Sequence, residues 1–412
     1  MARLWTWKVL LPVIVGVMLI AVAGLAVAGW YYSDQLRQRV LEPDRSPATP
    51  DLEVIGLPEG RVTLGPRPGT DKDGDWTRDG VYGLEWNDGY GQVGAIVEID
   101  DEHVVREFVP MQGGLEVGDL VRLDSFAWPS DPQHAFGISF EEVTFASPLG
   151  DFPAWFVGGS GDTWVIYVHG RGADRREALR LLPTVTELGF PSLIITYRND
   201  PEAPQSPDGF YRFGQTEWED LEGAVRYAAQ HGADELVLVG YSMGGAIVTS
   251  FLYNSALAER VVAVILDAPM LNLRDTVDRL AWKQGVPWFL TQIAEKLAEI
   301  RFDVDWETMN YLRRADELTA PVLLFHGDAD DTVPVETSDA LAEARPDLVT
   351  YSRVEGAGHV RSWNTDPEAY EAAVRAFLMP LVQVAQHARG GTQGTLVSVL
   401  CGRPSMRHLW PQ

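Results

Sequence analysis

Apolar and polar residues follow three successive patterns along this chain. Residues 9–29 form an apolar run without a charge. From Arg61 to Phe145, short β-branched or aromatic runs alternate with Gly, Asp and Pro clusters, and no helical period is evident. After about Val143, short apolar runs alternate with longer amphipathic segments, as in a mostly parallel sheet flanked by helices. The pattern predicts a membrane-length helix, a β-rich unit and an α/β unit, in that order.

The N-terminal apolar run is close to the ~20 residues that span a bilayer as a helix. Aromatic residues flank it on both sides, where amphipathic rings favour the two membrane interfaces. These flanking residues are Trp5, Trp7, Trp30, Tyr31 and Tyr32. We therefore interpret residues 1–32 as a transmembrane signal-anchor that contacts the lipid bilayer through residues 9–29.

The charges beside the anchor indicate its orientation. Arg3 and Lys8 precede the apolar run, whereas the basic residues after it are mixed with acidic ones, which favours an N-terminus inside the cell. The protein is then a single-pass protein of the cell membrane with its bulk outside the cytoplasm. The alternative is a secreted protein, because Ala26-Val27-Ala28 offers a small-residue cleavage site, although secretory apolar regions usually span only ~7 to 15 residues.

Composition divides the remaining chain into four parts. Residues 33–58 are polar and contain prolines, which is typical of a linker. Residues 59–142 are predicted to form a β-rich accessory domain, and residues 143–383 an α/β domain. Within the latter, residues 271–319 are too long for a plain connection and are a candidate lid. Residues 384–412 lack a clear period and are predicted to be disordered.

The apolar runs predict individual elements in both folded units. The β-rich unit has five candidate strands: Arg61 to Leu64, Val81 to Trp86, Gln92 to Ile99, Val104 to Val109 and Asp119 to Phe126. The α/β unit has six: Trp164 to Val168, Ser192 to Tyr197, Glu235 to Val239, Val261 to Leu266, Pro321 to Phe325 and Val349 to Val354. Candidate helices are Arg175 to Leu188, Thr216 to Gln230, Met243 to Tyr253, Trp288 to Ile300, Glu336 to Ala344 and Pro367 to Leu378.

Charge and cysteine content exclude several kinds of partner. The net charge of −26 repels polyanions, so nucleic acid is not expected to bind. The same charge disfavours anionic lipid surfaces, so membrane attachment requires an inserted segment. With a single cysteine, Cys401, no intramolecular disulfide can form. Neither a metal nor a cofactor is expected, and the oligomeric state is not indicated.

A serine stands at a predicted strand-to-helix junction. Gly240-Tyr241-Ser242-Met243-Gly244 follows the apolar run Leu236-Val237-Leu238-Val239 and precedes a helical run. A G-x-S-x-G sequence in this setting is a nucleophile elbow, whose strained turn projects the hydroxyl above the sheet edge. Ser242 is therefore the candidate nucleophile, and the Met243 N–H is a candidate oxyanion donor at the start of the following helix.

A serine hydroxyl needs a neighbouring base and an orienting acid, which in such folds follow it in the order acid, then histidine. His359 lies in a Gly-containing loop after the last predicted strand, and the other histidines downstream of the acid loop fall in the tail. The acid loop at residues 326–334 offers Asp328, Asp330 and Asp331. The two carboxylates that are not catalytic are expected to bond nearby loop N–H groups.

Four motifs resemble those of the α/β-hydrolase superfamily over about residues 143–381. The first is Val168-His169-Gly170-Arg171-Gly172, which is similar to an H-G-x-G loop, and the second is the G-x-S-x-G elbow. The third is His326 to Pro334, which is similar to H-G-x-x-D-x-x-V-P, and the fourth is the His359 loop. The resemblance implies that Asp330 is the acid and that the Arg171 N–H is the second oxyanion donor. Tyr197-Arg198-Asn199 is similar to a segment of the esterase and acyl-peptidase-like branches. The Arg171 side chain is expected to be solvated, or else to attract an anionic substrate group.

These residues predict a serine hydrolase that cleaves a carboxylic ester or related acyl bond in a small-molecule or acyl substrate. Ser242, Asp330 and His359 would form the catalytic triad, and Arg171 and Met243 the oxyanion hole. One alternative is a serine peptidase in which the β-rich unit gates the site. Another is a non-catalytic, membrane-anchored binding protein.

Overall fold

The computed structural model describes residues 2–70 and 74–390, which fold into an N-terminal helix, a closed β-barrel and an α/β domain. The order of these three parts confirms the predicted fold class: an apolar helix, a small β-rich unit and a mostly parallel sheet flanked by helices.

The N-terminal helix α1 spans Ala2–Leu36 and continues into a π-helical turn at Arg37–Leu41. Within the described residues, it is the one helix long and apolar enough to cross a membrane, and its apolar window is unburied. The predicted linker at 33–58 is too long, since helix reaches Leu41 and the first strand begins at Leu52. The reason is tertiary burial, because Leu36 and Leu41 pack into the α/β core.

Six antiparallel strands close into a barrel in the order β1-β2-β5-β4-β3-β6. They are β1 Leu52–Gly56, β2 Arg61–Pro66, β3 Tyr82–Trp86, β4 Gly89–Ile99, β5 Val104–Gln112 and β6 Leu120–Asp124. Alternate residues of these strands point inwards and form a separate apolar core. Closure also removes the unpaired edges that would otherwise invite association.

The α/β domain contains an eight-stranded sheet in the order β14-β13-β12-β11-β9-β10-β8-β7. Its strands are β7 Glu141–Ser147, β8 Gly150–Val157, β9 Thr163–Val168, β10 Ser192–Ile195, β11 Glu235–Tyr241, β12 Val261–Asp267, β13 Val322–Gly327 and β14 Val349–Val354. Strand β8 is antiparallel to both neighbours, and β9 to β14 are mutually parallel. The central strands are buried on both faces, which explains why they read as continuous apolar runs.

Helices cover both faces of this sheet. They are α2 Pro132–Phe136, α3 Leu182–Glu187, α4 Trp218–Gln230, α5 Met243–Asn254, α6 Leu273–Lys283, α7 Trp288–Phe302, α8 Val335–Ala344, α9 Ser362–Thr365 and α10 Pro367–Gly390. Two apolar clusters, one on each face of the sheet, form the core of the domain.

Two predicted segments differ from the structure. The helix predicted from Arg175 to Leu188 is divided into a 3₁₀ helix at Arg175–Arg180 and α3, because Pro183 has no N–H to continue the first segment. The tail predicted to be disordered from residue 384 is helical as far as Gly390, since residues such as Ala385 and Gln386 favour continuation of α10. Residues 391–412 lie outside the described residues.

Candidate active site

Ser242 lies on a strained turn between β11 and α5. Its φ is +49°, a left-handed backbone conformation that costs free energy for a non-glycine residue. The turn is possible only because small residues surround it: a Cβ on Gly240 would lie 2.8 Å from the Gly244 carbonyl oxygen, and one on Gly244 would overlap the Val168 carbonyl oxygen. The sequence therefore forms the sharp turn that presents the serine hydroxyl at the carboxyl edge of the sheet.

Three side chains from separate loops form one hydrogen-bonded line. His359 Nε2 lies 2.8 Å from Ser242 Oγ, and His359 Nδ1 lies 2.7 Å from Asp330 Oδ2. Because an ionised carboxylate only accepts, Nδ1 carries the proton and Nε2 is free to accept from the hydroxyl. The structure thus brings together the nucleophile, base and acid that the sequence singled out, in a geometry suited to proton removal from Ser242.

Asp330 is buried and fully hydrogen-bonded. Its Oδ1 accepts from the N–H groups of Thr332 and Val333 at 2.8 and 2.9 Å, and its Oδ2 also accepts from His326 Nε2 at 3.0 Å. Burial alone would raise the pKa of Asp330, but the charge of His359 and the hydrogen bonds from both histidines outweigh it and lower the pKa. The carboxylate therefore stays ionised.

The other two acid-loop carboxylates point elsewhere. Asp328 Oδ1 accepts from the Gly356 N–H at 2.7 Å and so joins the acid loop to the loop before His359. Asp331 forms an ion pair of 2.8 Å with Lys283 of α6. Of the three acid-loop carboxylates, Asp330 is the one that is hydrogen-bonded to the His359 ring.

The loop after β9 lies against the nucleophile. A Cβ on Gly170 would stand 3.2 Å from Ser242 Cβ, so the backbone N–H of the next residue, Arg171, is adjacent to the candidate site. Met243 begins α5, and its N–H is one of the first four that have no partner within a helix. These are the two donors expected to face an oxyanion.

Two buried side chains support this loop and were missed from the sequence. Glu177 Oε2 accepts from the Gly170 N–H at 2.7 Å, and the Tyr197 hydroxyl donates to the Gly170 carbonyl at 2.9 Å. Tyr197 belongs to a segment already singled out by resemblance, whereas nothing in the local sequence marks Glu177.

The Arg171 side chain is half-buried and bonds to the N-terminal segment, whereas the sequence suggested a solvated side chain or one that attracts an anionic substrate group. Its Nε donates to the Val40 carbonyl at 2.9 Å and its Nη2 to the Glu42 carbonyl at 2.8 Å. The guanidinium also faces the Tyr211 ring, 5.9 Å from its centroid. Arg171 therefore joins the oxyanion loop to the end of the N-terminal helix, a contact that local sequence patterns do not reveal.

A buried ion pair lies behind the same loop. His169 Nε2 is 2.9 Å from Asp200 Oδ2, and His169 Nδ1 is 2.9 Å from the Gly170 carbonyl oxygen. Both partners are acceptors, so the ring is fully satisfied only when both nitrogens carry protons. Burial lowers the pKa of His169, but the Asp200 charge and the hydrogen bonds more than reverse this and raise it to about 9.

The barrel contacts the loop that carries His359. Arg361 Nε forms an ion pair of 2.8 Å with Asp75, and its Nη1 donates to the His359 carbonyl at 2.9 Å. Asn364 Nδ2 donates to the carbonyls of Val81 and Ser125 at 2.7 and 2.9 Å. The barrel therefore stabilises the backbone of the candidate base.

No cluster of three or more His, Cys, Asp or Glu side chains that could hold a metal ion occurs in residues 2–70 and 74–390. The side chains that meet at the edge of the sheet supply a hydroxyl, an imidazole and a carboxylate.

Comparisons with known proteins agree with this architecture. Residues 163–312 match a family model described as alpha/beta hydrolase fold, and residues 53–124 match a domain family of unknown function. The uncharacterized protein YqkD of Bacillus subtilis is 23% identical over 217 residues, which are 52% of this chain and 70% of YqkD. Protein ABHD12B of Homo sapiens is 26% identical over 195 residues, which are 44% of this chain and 50% of ABHD12B, so the match spans about half of that relative.

Among solved structures, the Pyrococcus furiosus esterase Pf2001 superposes with a TM-score of 0.50 at 19% identity. The match covers 61% of this chain and 94% of the esterase. At this identity the similarity concerns the fold alone. The family match over residues 163–312 and this superposition show that the α/β domain has the α/β-hydrolase fold.

Proposed function

We propose that this protein is a serine hydrolase that cleaves carboxylic esters, with Ser242 as nucleophile, His359 as general base and Asp330 as the acid that orients the base. The observation that carries the proposal is the continuous hydrogen-bonded line from Asp330 through His359 to the Ser242 hydroxyl, at 2.7 and 2.8 Å. The strained backbone of Ser242 and the adjacent Gly170 loop support it.

The reaction would proceed in two steps. Ser242 Oγ attacks the ester carbonyl carbon while its proton passes to His359 Nε2. The N–H groups of Arg171 and Met243 hold the oxyanion of the tetrahedral intermediate. The intermediate expels the alcohol, which takes the proton from His359, and leaves Ser242 acylated. Water, deprotonated by His359, then attacks the acyl carbon and releases the carboxylic acid and free Ser242.

We also propose that the first 32 residues anchor the enzyme in the cell membrane through residues 9–29, with residues 143–383 as the catalytic domain outside the cytoplasm. The unburied apolar window of α1 supports insertion. The burial of Ser33, Leu36 and Leu41 makes the end of the helix part of the folded domain, so the anchor would be joined directly to the enzyme.

Ser242→Ala tests the catalytic assignment. Because the hydroxyl is the attacking group, we expect turnover of p-nitrophenyl acetate to fall by at least ~10³-fold and fluorophosphonate labelling to vanish, with an unchanged far-UV CD spectrum. Ser46→Ala, in the exposed segment before the barrel, is the matched control and should keep both. Peptide anilides assayed in parallel measure the alternative peptidase activity. Retained turnover in Ser242→Ala would refute the proposal, and an unlabelled wild type would favour a binding protein.

A further inference from the structure

An open groove lies where the end of α1 meets α6 and α7. Its lining is mostly apolar. One wall comes from the N-terminal segment and the other from the two helices of the candidate lid. The lining residues that matter most are Tyr32, Leu36 and Val40 on the first wall, and Val277, Ala281 and Ala294 on the second.

Both walls are attached to the loops beside Ser242. The Arg171 side chain donates hydrogen bonds to the Val40 and Glu42 carbonyls. These bonds connect the first wall to the loop after β9. Arg279 of α6 donates to the Asp330 carbonyl at 2.9 Å, which ties the second wall to the acid loop. Both walls of the groove are therefore bonded to loops that carry candidate site residues.

Helix α7, which forms part of the second wall, also packs against α1 near the end of its apolar run. Helix α7 packs on α1 at Gly29, where a Cβ would overlap the Ile293 side chain. Gly29 is the last residue of the charge-free apolar run. Trp288, the first residue of α7, lies about 7.5 Å from Ile293 along the helix axis at 1.5 Å per residue. The N-terminal end of α7 thus lies close to the end of the apolar run.

Large aromatic side chains are exposed at this level. Trp282 at the end of α6 and Trp288 at the start of α7 are 79% and 77% exposed, and Phe289 beside them is also exposed. Trp30 on α1 is 58% exposed, and the Arg301 guanidinium of α7 lies 3.6 Å from its ring centroid. Exposed tryptophans next to an apolar helix are typical of a membrane interface.

We propose that the groove binds the acyl chain of a bilayer lipid, and that the α6–α7 turn inserts into the leaflet that meets the end of the anchor. The N-terminal helix is then one wall of the substrate site as well as a tether. This inference rests on the proposed function, because the ester carbonyl of the bound lipid would lie at Ser242. An apolar groove gains roughly fourfold in affinity for each methylene it buries, so long acyl chains should be preferred.

Insertion of the turn is measured without any turnover. In a Cys401→Ser background, which removes the sole cysteine, Trp282→Cys is labelled with an environment-sensitive fluorophore. In phosphatidylcholine proteoliposomes that carry doxyl-labelled acyl chains, we expect a blue shift and strong quenching. Val117→Cys, at an exposed barrel position, is the control and should show neither. Equal quenching at both positions, or none at Trp282→Cys, overturns the insertion of the turn.

The groove is tested by filling it. Ala281→Trp should remove the rise in kcat/KM along a p-nitrophenyl ester series from acetate to laurate. Ala340→Trp, at an exposed position of α8, should keep the wild-type series. An unchanged series in Ala281→Trp overturns the groove and leaves the hydrolase intact, whereas a wild type inactive on every ester overturns the hydrolase itself. A shift from dimer to monomer in Ala281→Trp with an unchanged series would assign the groove to a second copy of this chain.

Discussion

At the scale of single residues, the candidate site is supported by side chains that do not touch the proposed nucleophile. His326 donates to Asp330 through Nε2, and its Nδ1 lies 2.7 Å from the Ser338 hydroxyl. On the opposite side, the His169–Asp200 pair lies behind Gly170. Both histidines are buried, so each acts on the site by holding a neighbouring loop in position.

The His169–Asp200 pair makes the free energy of unfolding depend on pH. The pKa of His169 is raised from 6.5 to about 9, so its stabilising contribution is complete below pH 6.5 and is lost as the pH rises through 9. We expect urea midpoints of the detergent-solubilised protein to fall between pH 7.5 and 9, with a slope of at most about 1.4 kcal/mol per pH unit for one proton.

Asp200→Asn is the control for this pH dependence, because it removes the charge that raises the pKa of His169. The variant should lose the slope above pH 7.5. Burial also raises the pKa of Asp267 to about 6 and that of Glu295 to about 7, but the stability that these groups contribute is lost mainly as the pH rises through 6 and 7, below the window of His169. A slope that persists unchanged in Asp200→Asn would show that another group is responsible.

The residues near the site differ in how far local sequence reveals them. Ser242, His359 and Asp330 follow strand ends of a parallel sheet, so their convergence is expected from the topology alone. His326 stands at the first position of the acid-loop motif, four residues before Asp330, and that spacing could have indicated its contact. His169 stands at the first position of the H-G-x-G-like segment, whereas Glu177 contacts this loop through tertiary packing that no periodicity or spacing marks.

At the scale of elements, the barrel and the loop of His359 behave as one structural unit. The loop from Gly358 to Asn364 bonds to the barrel through main chain as well as side chains, since the Val81 N–H donates to the Asn364 carbonyl at 2.8 Å. Within the barrel, the buried Arg106 donates to the carbonyls of Arg78 and Gly80, both at 2.8 Å. The segment that carries Asp75 is therefore held from the barrel interior.

Arg361 is expected to be a positioning residue for His359, because it bridges Asp75 and the His359 carbonyl. Asp75→Asn removes the charge of the bridge with little change in shape, and we expect kcat for short esters to fall on the order of tenfold with KM unchanged. Asp75→Glu should restore part of kcat. Asp79→Asn, whose contacts lie within the barrel, should leave both constants unchanged. A rise in KM instead, or a lower unfolding temperature with normal kcat, would contradict the positioning role.

Elements with strong periodicity were predicted well, and those that depend on distant packing were not. The six parallel strands of the α/β sheet and most of its helices are confirmed within a few residues. Strand β1 was assigned to the linker, because its pattern is short and is completed only by pairing with β2 and β6. Strand β8 was missed because it carries Gly150 and Pro153, which weaken a strand pattern, although pairing with β7 and β10 forms it.

At the scale of the whole molecule, a strongly acidic chain exposes large apolar side chains on α1, at the α6–α7 turn and on the barrel. The net charge of −26 disfavours contact with anionic lipid. Under the proposed anchoring, contact with a bilayer would therefore come from inserted apolar groups, and the α6–α7 turn is the exposed apolar site of the α/β domain next to α1.

Two truncated proteins test whether the end of the N-terminal helix only tethers the α/β domain or also stabilises its fold. A chain cleaved after Ala28 keeps Leu36 and Leu41 in the core and the two Arg171 bonds, so we expect it to fold and to hydrolyse p-nitrophenyl acetate at the full-length rate. A chain that begins at Pro43 loses both leucines, each of which contributes roughly 1.5 to 3 kcal/mol when buried. That loss is a large part of a typical unfolding free energy of about 5 to 15 kcal/mol, so its unfolding temperature should drop by several degrees or more. The unfolding temperatures of the two truncated proteins are measured in the same detergent. Equal unfolding temperatures would mean that residues 29–42 only connect the anchor to the enzyme.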